Sequence, residues 1–413
     1  MFWVILLIIW SIFLWDLYLA FRQYDLHKKT KTRPKYLEEI ISEEDFHKAR
    51  LYKIDKFHTI FYKEFLDINH LILIQILQSL TFMVMVGIIE SILSLPWQAF
   101  ETFIVEEKHG FNNQTFSFFI KDRIKKTIVS LLIMAPIICS IIYIIQNGGP
   151  YFFVYAWIFI SIMTFLLMTV YPEFIAPLFD KYIPMPESEL KERIEAMASS
   201  VQFPLKKLFV VEGSKRSAHS NAYLYGFWKH KRIVLFDTLL SKEMYAKVKE
   251  ACGETVGDLE RKAGMKDSEI LAVLGHEIGH WALSHTFIHL LIAEINLLLV
   301  FFVFSFCYQE SSLYLAFGFI DKPTLIGLII IFQYIMAPYN ELFTFIITII
   351  SRRFEFAADQ HSAKMGYVNE LCSALIKLGK DNLNLPIDDP LYSLFNHSHP
   401  PIPERISALK KEL

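Results

Sequence analysis

Residues 127–172 read TIVSLLIMAPIICSIIYIIQNGGPYFFVYAWIFISIMTFLLMTVYP. Two parts of this stretch, 127–146 and 150–172, contain no charged residue, and each has the roughly 20 mostly apolar residues that a helix needs to cross a bilayer. Two glycines lie between these parts and a proline follows them, which is typical of a tight turn. The stretch therefore predicts a hairpin of two membrane-spanning helices.

The composition of the whole chain favours the same class of protein. Of its 413 residues, 54% are hydrophobic and 20% are charged, which excludes an intrinsically disordered chain. Four scattered cysteines are too few for a small secreted domain held together by disulfides. The net charge of −2 produces no field that attracts nucleic acid, so we predict a lipid bilayer and no nucleic acid as a partner.

Further segments are long and apolar enough to cross a bilayer: 1–21, 68–98, 286–308 and 324–350. The chain thus divides into a membrane region (1–172), a polar region (173–285), a membrane hairpin (286–350) and a polar carboxyl end (351–413). Basic residues after the first segment and before the hairpin predict a lumenal amino terminus and cytosolic polar regions. That topology requires an even number of crossings through 57–98, so we expect six to seven membrane helices.

Acidic residues also occur inside the predicted membrane segments, at Asp16, Glu90, Glu294 and Glu341. Carboxylates at such depths usually face other helices or water rather than lipid. They predict either polar contacts between helices or a water-filled interior.

Residues 269–285 read EILAVLGHEIGHWALSH, with apolar residues at helical spacing, and run straight into segment 286–308. His276 and His280 are four residues apart on this helix, so both imidazoles project from one face and can bind one metal. Glu277 lies beside them, where it can take a proton from an attacking water. This is the His-Glu-x-x-His pattern of zinc proteases. The alternative is an amphipathic helix with two surface histidines, which the apolar flanks disfavour.

A catalytic zinc needs a third protein ligand, and residues 351–359 supply candidates. Glu355 and Asp359 share one helical face, so one can bind zinc while the other accepts the ring N–H of a ligand histidine. A solvated helix face is the alternative interpretation. His285 and His289 lie on or near the helix of the first two ligands, which makes them poor partners in a tetrahedron.

Leu208–Val211 and Ile233–Phe236 are short β-branched and aromatic runs that predict strands. A small sheet before the zinc helix can offer an edge strand to an extended peptide. Asn221 lies in the polar stretch between the two runs and is either a hydrogen-bonding group for substrate or a turn residue. His399 either brings an imidazole to the oxyanion or lies in a loop before the last helix.

Taken together, these motifs resemble those of the integral-membrane CAAX prenyl proteases of the zinc metalloprotease type, the family that processes prelamin A in animals and the a-factor pheromone in yeast. The matching stretches are Glu106–Asn112, Ala176–Lys181, Gly213–Phe227, Val273–Trp281, Ser351–Asp359 and Ser398–Arg405. The resemblance implies a mainly helical fold, with a barrel of seven membrane helices around a water-filled chamber. A cytosolic zincin-like domain with a small sheet caps that chamber. The family has two hydrophobic segments where this chain has only 57–98, which looks about one helix short.

The resemblance also implies the metal chemistry. Zinc, one ion per chain, is expected on His276, His280 and Glu355. Glu277 is expected to act as the general base, and Asp359 to support the ligands.

Asn221 and His399 are implied near the scissile bond, and Trp281 as a substrate-contacting wall of the active site. Family members remove the last three residues from prenylated Cys-a-a-X proteins, and some make a second, upstream cut. The implied function is a membrane endopeptidase for farnesylated CAAX proteins in the endoplasmic reticulum, and by extension the inner nuclear membrane. Lys410 and Lys411 have the spacing of a retrieval signal for that compartment, or form a basic helix end.

Two other functions remain open on the residues alone. A membrane quality-control metalloprotease with the same zinc motif would cleave without dependence on prenyl groups. A channel or transporter with a structural metal is the third candidate, although structural zinc is usually closed by a fourth protein ligand and has no use for Glu277. The sequence leaves the physiological substrate and the oligomeric state undetermined.

Overall fold

A computed structural model describes residues 78–226, 231–254, 264–383 and 389–411, together with a few isolated positions between 25 and 47. The predicted segment 1–21 and the first part of 57–98 lie outside these ranges. From Gln78 onward the membrane region contains three long apolar helices, α1 (Gln78–Glu106), α2 (Phe116–Asn147) and α3 (Phe152–Val170). A turn at Gly148 and Gly149 joins α2 to α3, and the two helices pack together as the predicted hairpin.

A four-stranded mixed sheet follows, in the spatial order β1-β2-β4-β3. Its strands are β1 (Tyr182–Pro184), β2 (Leu205–Val211), β3 (Ala222–Tyr225) and β4 (Lys231–Phe236). The parallel pair β2 and β4 contains the two predicted strands, and β1 and β3 pair antiparallel on either side. Strand β3 arises from the stretch interpreted as a polar loop, and it forms one edge of the sheet.

Three helices pack around this sheet: α4 (Glu189–Ser200), α5 (Lys242–Ala251) and α6 (Asp267–Ala282). Helix α4 buries Leu190 and Ile194, which are four residues apart and therefore lie on one face. Leu271 and Leu274 of α6 meet them, together with Ile233 of β4, in one apolar core. This core fixes the position of the helix that contains His-Glu-x-x-His.

The remaining described helices are α7 (His285–Cys307), α8 (Ser311–Ala316), α9 (Thr324–Ile330), α10 (Ala337–Lys364), α11 (Val368–Asp381), α12 (Pro390–Asn396) and α13 (Ile402–Leu409). The predicted span 324–350 differs from the structure in its shape. It is bent by 60° at Met336, between residues 324–335 and α10. Helix α10 then continues out of the apolar segment to Lys364 without a break, so the same helix that passes through the membrane region presents Glu355 and Asp359.

The expectation that the zinc helix runs straight into segment 286–308 is wrong. Helix α6 ends at Ala282 and α7 begins at His285, because Ser284 adopts a left-handed conformation with φ of 57°. That conformation is uncommon for a residue with a side chain, and it interrupts the helical path. The break allows His285 to turn back toward the motif that precedes it.

Within the described residues, four helices are long and apolar enough to cross a membrane, and the bent pair is a fifth candidate. Glu294 of α7 accepts hydrogen bonds from Ser161 and from the indole N–H of Trp157, both on α3. Glu294 therefore makes a polar contact between helices, one of the two predicted arrangements. The predicted class, a mainly helical membrane protein with a small sheet, is confirmed.

Candidate active site

Close contact between α6 and α10 builds the site. Gly275 and Gly279 lie one helical turn apart on α6 and face α10. A Cβ atom added at Gly279 would lie 2.9 Å from the Cβ of His361 and 3.1 Å from the backbone of Ala358, closer than ordinary packing permits. The hydroxyl of Ser362 also donates to the carbonyl of Ala272, at 2.8 Å. These glycines let the helices approach closely enough for side chains of α10 to reach the histidines of α6.

His276, His280 and Glu355 converge as the sequence predicts. The two Nε2 atoms are 3.2 Å apart, and Glu355 places its carboxylate oxygens 3.5 Å from Nε2 of His276 and 3.2 Å from Nε2 of His280. Ligands about 2.1 Å from a tetrahedral zinc are separated by about 3.4 Å. The three groups therefore fit three corners of a zinc site, which leaves the fourth corner for water or substrate.

The ring nitrogens that face away from this triangle have partners. The Nδ1 of His276 donates to Asp359 at 2.8 Å, because an ionised carboxylate can only accept. The Nε2 lone pair of His276 therefore points toward the site. Arg405 donates two hydrogen bonds to Asp359, at 2.6 and 2.8 Å, and its guanidinium lies 3.3 Å from Glu355. This buried cation offsets part of the negative charge of the two carboxylates.

The second histidine is oriented by a residue that the sequence argument set aside as a ligand. The Nδ1 atoms of His280 and His285 are 2.9 Å apart, so one ring donates to the other. His285 is buried and stacks on Phe354 at 4.0 Å between ring centroids, with the planes 4° apart. His285 therefore supports His280 from outside the triangle.

Glu277 lies where two cavities meet. One cavity, of about 690 Å³, is lined by His276, Glu355, Asn221 and His399 in addition to Glu277. The other, of about 930 Å³, extends toward the membrane helices. Burial raises the pKa of the Glu277 carboxyl above its ordinary value. A carboxylate in this position can take a proton from a group held at the open corner of the triangle.

His399 reaches the same site from the loop before α13. Its Nδ1 lies 2.8 Å from Oε2 of Glu355, while 69% of the side chain remains exposed. The hydrogen bond with the Glu355 carboxylate raises the pKa of His399. Arg352 of α10 holds the surrounding segment by donating to Ser393, to the carbonyl of His397 and to Glu404.

Asn221 immediately precedes the edge strand β3. Its side-chain oxygen accepts from the backbone N–H of Ala222 at 2.8 Å, which leaves the amide NH₂ as a donor. The preceding loop is held by His219, which stacks on Phe111 at 4.1 Å and lies 3.2 Å from the side-chain oxygen of Asn382. Trp281, by contrast, lines the larger cavity and packs edge to face against Phe203 at 5.0 Å.

A model of peptidase family M48 matches residues 184–413, and a model described as the CAAX prenyl protease N-terminal region, with five membrane helices, matches residues 69–181. The chain belongs to peptidase family M48. This M48 peptidase is similar over nearly its whole length to a CAAX prenyl protease 1 homolog of Caenorhabditis elegans, with 49% identity over 421 residues, 97% of this chain and 95% of the relative.

Two further relatives extend the comparison. The human CAAX prenyl protease 1 homolog is 46% identical over 448 residues, which cover 98% of this chain and 94% of the relative. The crystal structure of Ste24p from S. mikatae is 35% identical and superimposes with a TM-score of 0.72, covering 97% of this chain and 96% of that one. The M48 peptidase is therefore a membrane metallopeptidase, and its predicted family resemblance is confirmed.

The donor set of this M48 peptidase fits the metal that its family implies. Two imidazole nitrogens and one carboxylate oxygen converge, and they are the donors of catalytic zinc sites that keep an open position. Sequence reasoning gave no role in the site to Arg405 or Arg352, and it considered His285 only as a disfavoured metal ligand. No sequence pattern identifies Arg405, because it contacts residues of α6 and α10 from α13. The supporting position of His285 depends on the left-handed Ser284.

Proposed function

We propose that this M48 peptidase is a zinc-dependent endopeptidase that removes the last three residues of farnesylated CAAX proteins. One observation carries the proposal: the metal triangle and Glu277 lie at the junction of a cavity in the soluble domain and an apolar cavity between membrane helices. An enzyme that cleaves a lipid-modified peptide needs one cavity for the peptide and another for the lipid. The names of the relatives support the same substrate class.

In this proposal His276, His280 and Glu355 hold one zinc ion, and Asp359 fixes the ring of His276. Bound zinc would polarise the scissile carbonyl and lower the pKa of a water molecule. Glu277 accepts the proton of the attacking water and delivers it to the leaving amine.

Two further groups act on the carbonyl oxygen of the substrate. His399 and the amide of Asn221 line the same cavity as Glu277. Both can donate a hydrogen bond as negative charge develops on that oxygen in the transition state. Trp281 forms part of the wall on the other side of Glu277.

We further propose that the protein lies in the membrane of the endoplasmic reticulum and in its continuation, the inner nuclear membrane. The zinc domain and the carboxyl terminus are on the cytosolic side of this membrane, and the amino terminus is in the lumen. The basic residues around Lys121–Lys126 support this topology. Lys410 and Lys411 lie at the end of α13, where a cytosolic receptor can reach them. If they form a retrieval signal, serine at both positions will shift the protein out of this compartment; an unchanged location will refute that role.

The central experiment uses the full chain, purified in detergent with zinc, and one CAAX peptide in farnesylated and unfarnesylated forms. We expect release of the carboxyl-terminal tripeptide from the farnesylated form. The Glu277→Gln variant should lose about 10²–10⁴-fold in rate, because it loses its general base while the metal ligands stay intact.

Zinc content, measured by elemental analysis, provides the control that the variant still binds metal. Equal cleavage of both peptide forms would favour a quality-control protease instead. Retained zinc with no cleavage of either form, or cleavage unaffected by Glu277→Gln, would exclude the proposed mechanism.

A further inference from the structure

The larger cavity differs from the rest of the site in what surrounds it. Its walls come from the membrane helices α3 and α7 on one side and from α6 and the end of β3 on the other. Leu167 and Met168 of α3, Leu224 of β3, and Phe287 and Leu290 of α7 give it an apolar lining. Its volume of about 930 Å³ lies in the usual range for small-molecule sites of roughly 300–1,000 Å³.

This cavity is continuous with the metal site. Glu277 and His280 both belong to its lining, so a group inside it lies next to the reacting atoms. The next residue of α7, Leu291, lies outside the lining and is 51% exposed. An apolar chain can therefore occupy the cavity while the peptide to which it is attached reaches the metal.

We propose that this cavity, between α3 and α7, is the binding site for the isoprenoid of the cysteine that immediately precedes the scissile bond. The inference rests on the proposed function, and it assigns the two halves of the substrate to the two cavities. The isoprenyl cysteine occupies the membrane-side cavity, and the three residues to be released occupy the cavity of about 690 Å³.

The direction of β3 leads to the same assignment. This strand is the edge of the sheet, and its chain runs from Ala222, which lines the smaller cavity, to Tyr225, which lines the larger one. A substrate that pairs antiparallel with β3, the slightly more stable arrangement, runs the opposite way. Its amino-terminal part then lies beside Leu224 and Tyr225, and its carboxyl-terminal part lies beside Ala222 and Asn221.

The chemistry of the smaller cavity agrees with this orientation. Asn382, His397 and His399 line it together with leucines such as Leu371 and Leu375, so its lining is mixed and more polar than that of the larger cavity. The more polar lining suits a short peptide that ends in a free carboxylate, whereas the isoprenoid gains most where apolar side chains replace water around it. Strand direction and lining therefore support one arrangement independently of each other.

The first test narrows the cavity. Leu290→Trp places a larger side chain in the lining, and Leu291→Trp places the same side chain on the adjacent, exposed position of α7, outside the lining, as a matched control. We expect Leu290→Trp to lower kcat/KM for a geranylgeranylated peptide at least about 10-fold more than for the shorter farnesylated one, as an apolar pocket discriminates by size. Leu291→Trp should leave the ratio of the two substrates unchanged.

A second measurement needs no variant. A CAAX peptide whose isoprenoid contains a photoreactive group is crosslinked to the unaltered protein, and the labelled residues are mapped by mass spectrometry. Labels on Leu167, Met168 or Leu290 that unlabelled farnesyl peptide displaces will support the proposal.

Labels confined to the smaller cavity will overturn it, as will equal changes in the two tryptophan variants. If a free photoreactive fatty acid labels the same residues and the farnesyl peptide does not displace it, the cavity is a lipid site. These results are distinct from failure of the proposed function, in which the unaltered protein would cleave farnesylated and unfarnesylated peptides equally or not at all.

Discussion

The two sides of the metal site differ in the burial and pairing of their side chains. On the side of α6 and α10, the side chains of Glu355 and Asp359 are only 6% and 2% exposed, and both contact Arg405. On the opposite side, His399 is 69% exposed, and Asn221 is also exposed at the end of a loop. The groups proposed to hold the metal are buried and paired, whereas those proposed to face substrate are exposed.

This difference has an energetic origin. A buried carboxylate is costly unless a partner compensates its charge, and here one arginine contacts two of them. The exposed groups need no such compensation, because water hydrates them until substrate displaces it. Variants on the two sides should therefore fail in different ways, the buried ones through metal binding and the exposed ones through turnover.

The largest effect is expected at Glu355 itself. Glu355→Gln replaces an anionic ligand by a neutral amide of the same size. Changing a residue that only hydrogen-bonds to a ligand lowers metal affinity about 10–100-fold. Glu355→Gln should lower zinc affinity by more than that. Peptidase activity should be abolished at ordinary zinc concentrations. Elemental analysis and a cleavage assay on the same sample measure both quantities; a variant that retains stoichiometric zinc and full activity would show that Glu355 is not a ligand.

His399→Ala tests the exposed side. We expect kcat to fall about 10²–10³-fold, the usual cost of removing one donor to a developing oxyanion, with zinc content unchanged. His397→Ala is the comparison variant: its ring packs against Tyr392 at 5.5 Å between ring centroids, so its loss should lower kcat less than the loss of His399 does. A fall in zinc affinity that accounts for the lost activity would instead place His399 among the metal-supporting groups.

Asp359→Asn tests the buried side. The amide oxygen can still accept from His276, but it no longer carries the charge that Arg405 offsets in part. We expect zinc affinity to fall about 10–100-fold while kcat at saturating zinc stays near its original value. Arg405 keeps its contact with Glu355 in this variant, so the change at Asp359 does not leave an unpaired buried cation. A kcat loss at saturating zinc would contradict the division between the two sides.

Most of the geometry of this site could be predicted because the proposed ligands follow local spacing. His276 and His280 belong to one helix, as do Glu355 and Asp359, so a period of 3.6 residues places each pair on one face. The close approach of α6 and α10 depends on Gly275 and Gly279, whose role becomes visible only when the partner helix is known.

Other features could not be predicted because they depend on backbone conformations or on contacts distant in sequence. Strand β3 has only four residues and begins in a polar loop, so its pairing with β4 decides its structure more than its own propensity does. The bend at Met336 does have a local mark, Pro338 in the first turn of α10, which a measure of hydropathy passes over. Hydropathy measures the length of an apolar stretch and carries no information about its direction.

The smallest expected change in zinc affinity concerns His285, whose position depends on the left-handed conformation of Ser284. That conformation turns His285 back onto His280, and His285→Phe keeps the stacking on Phe354 while removing the hydrogen bond. Zinc affinity should fall by about 10-fold, the lower end of what a residue hydrogen-bonded to a ligand contributes, because Glu355 and His276 still orient the metal.

His289→Phe is the control, since His289 also packs against Phe354, at 5.1 Å between ring centroids, but has no hydrogen bond to a metal ligand. Zinc titration of both variants should therefore separate packing from orientation. Equal affinities for the two would mean that His280 is held by its own helix alone. The buried side of the site would then be built by α6 and α10, with no contribution from the break between α6 and α7.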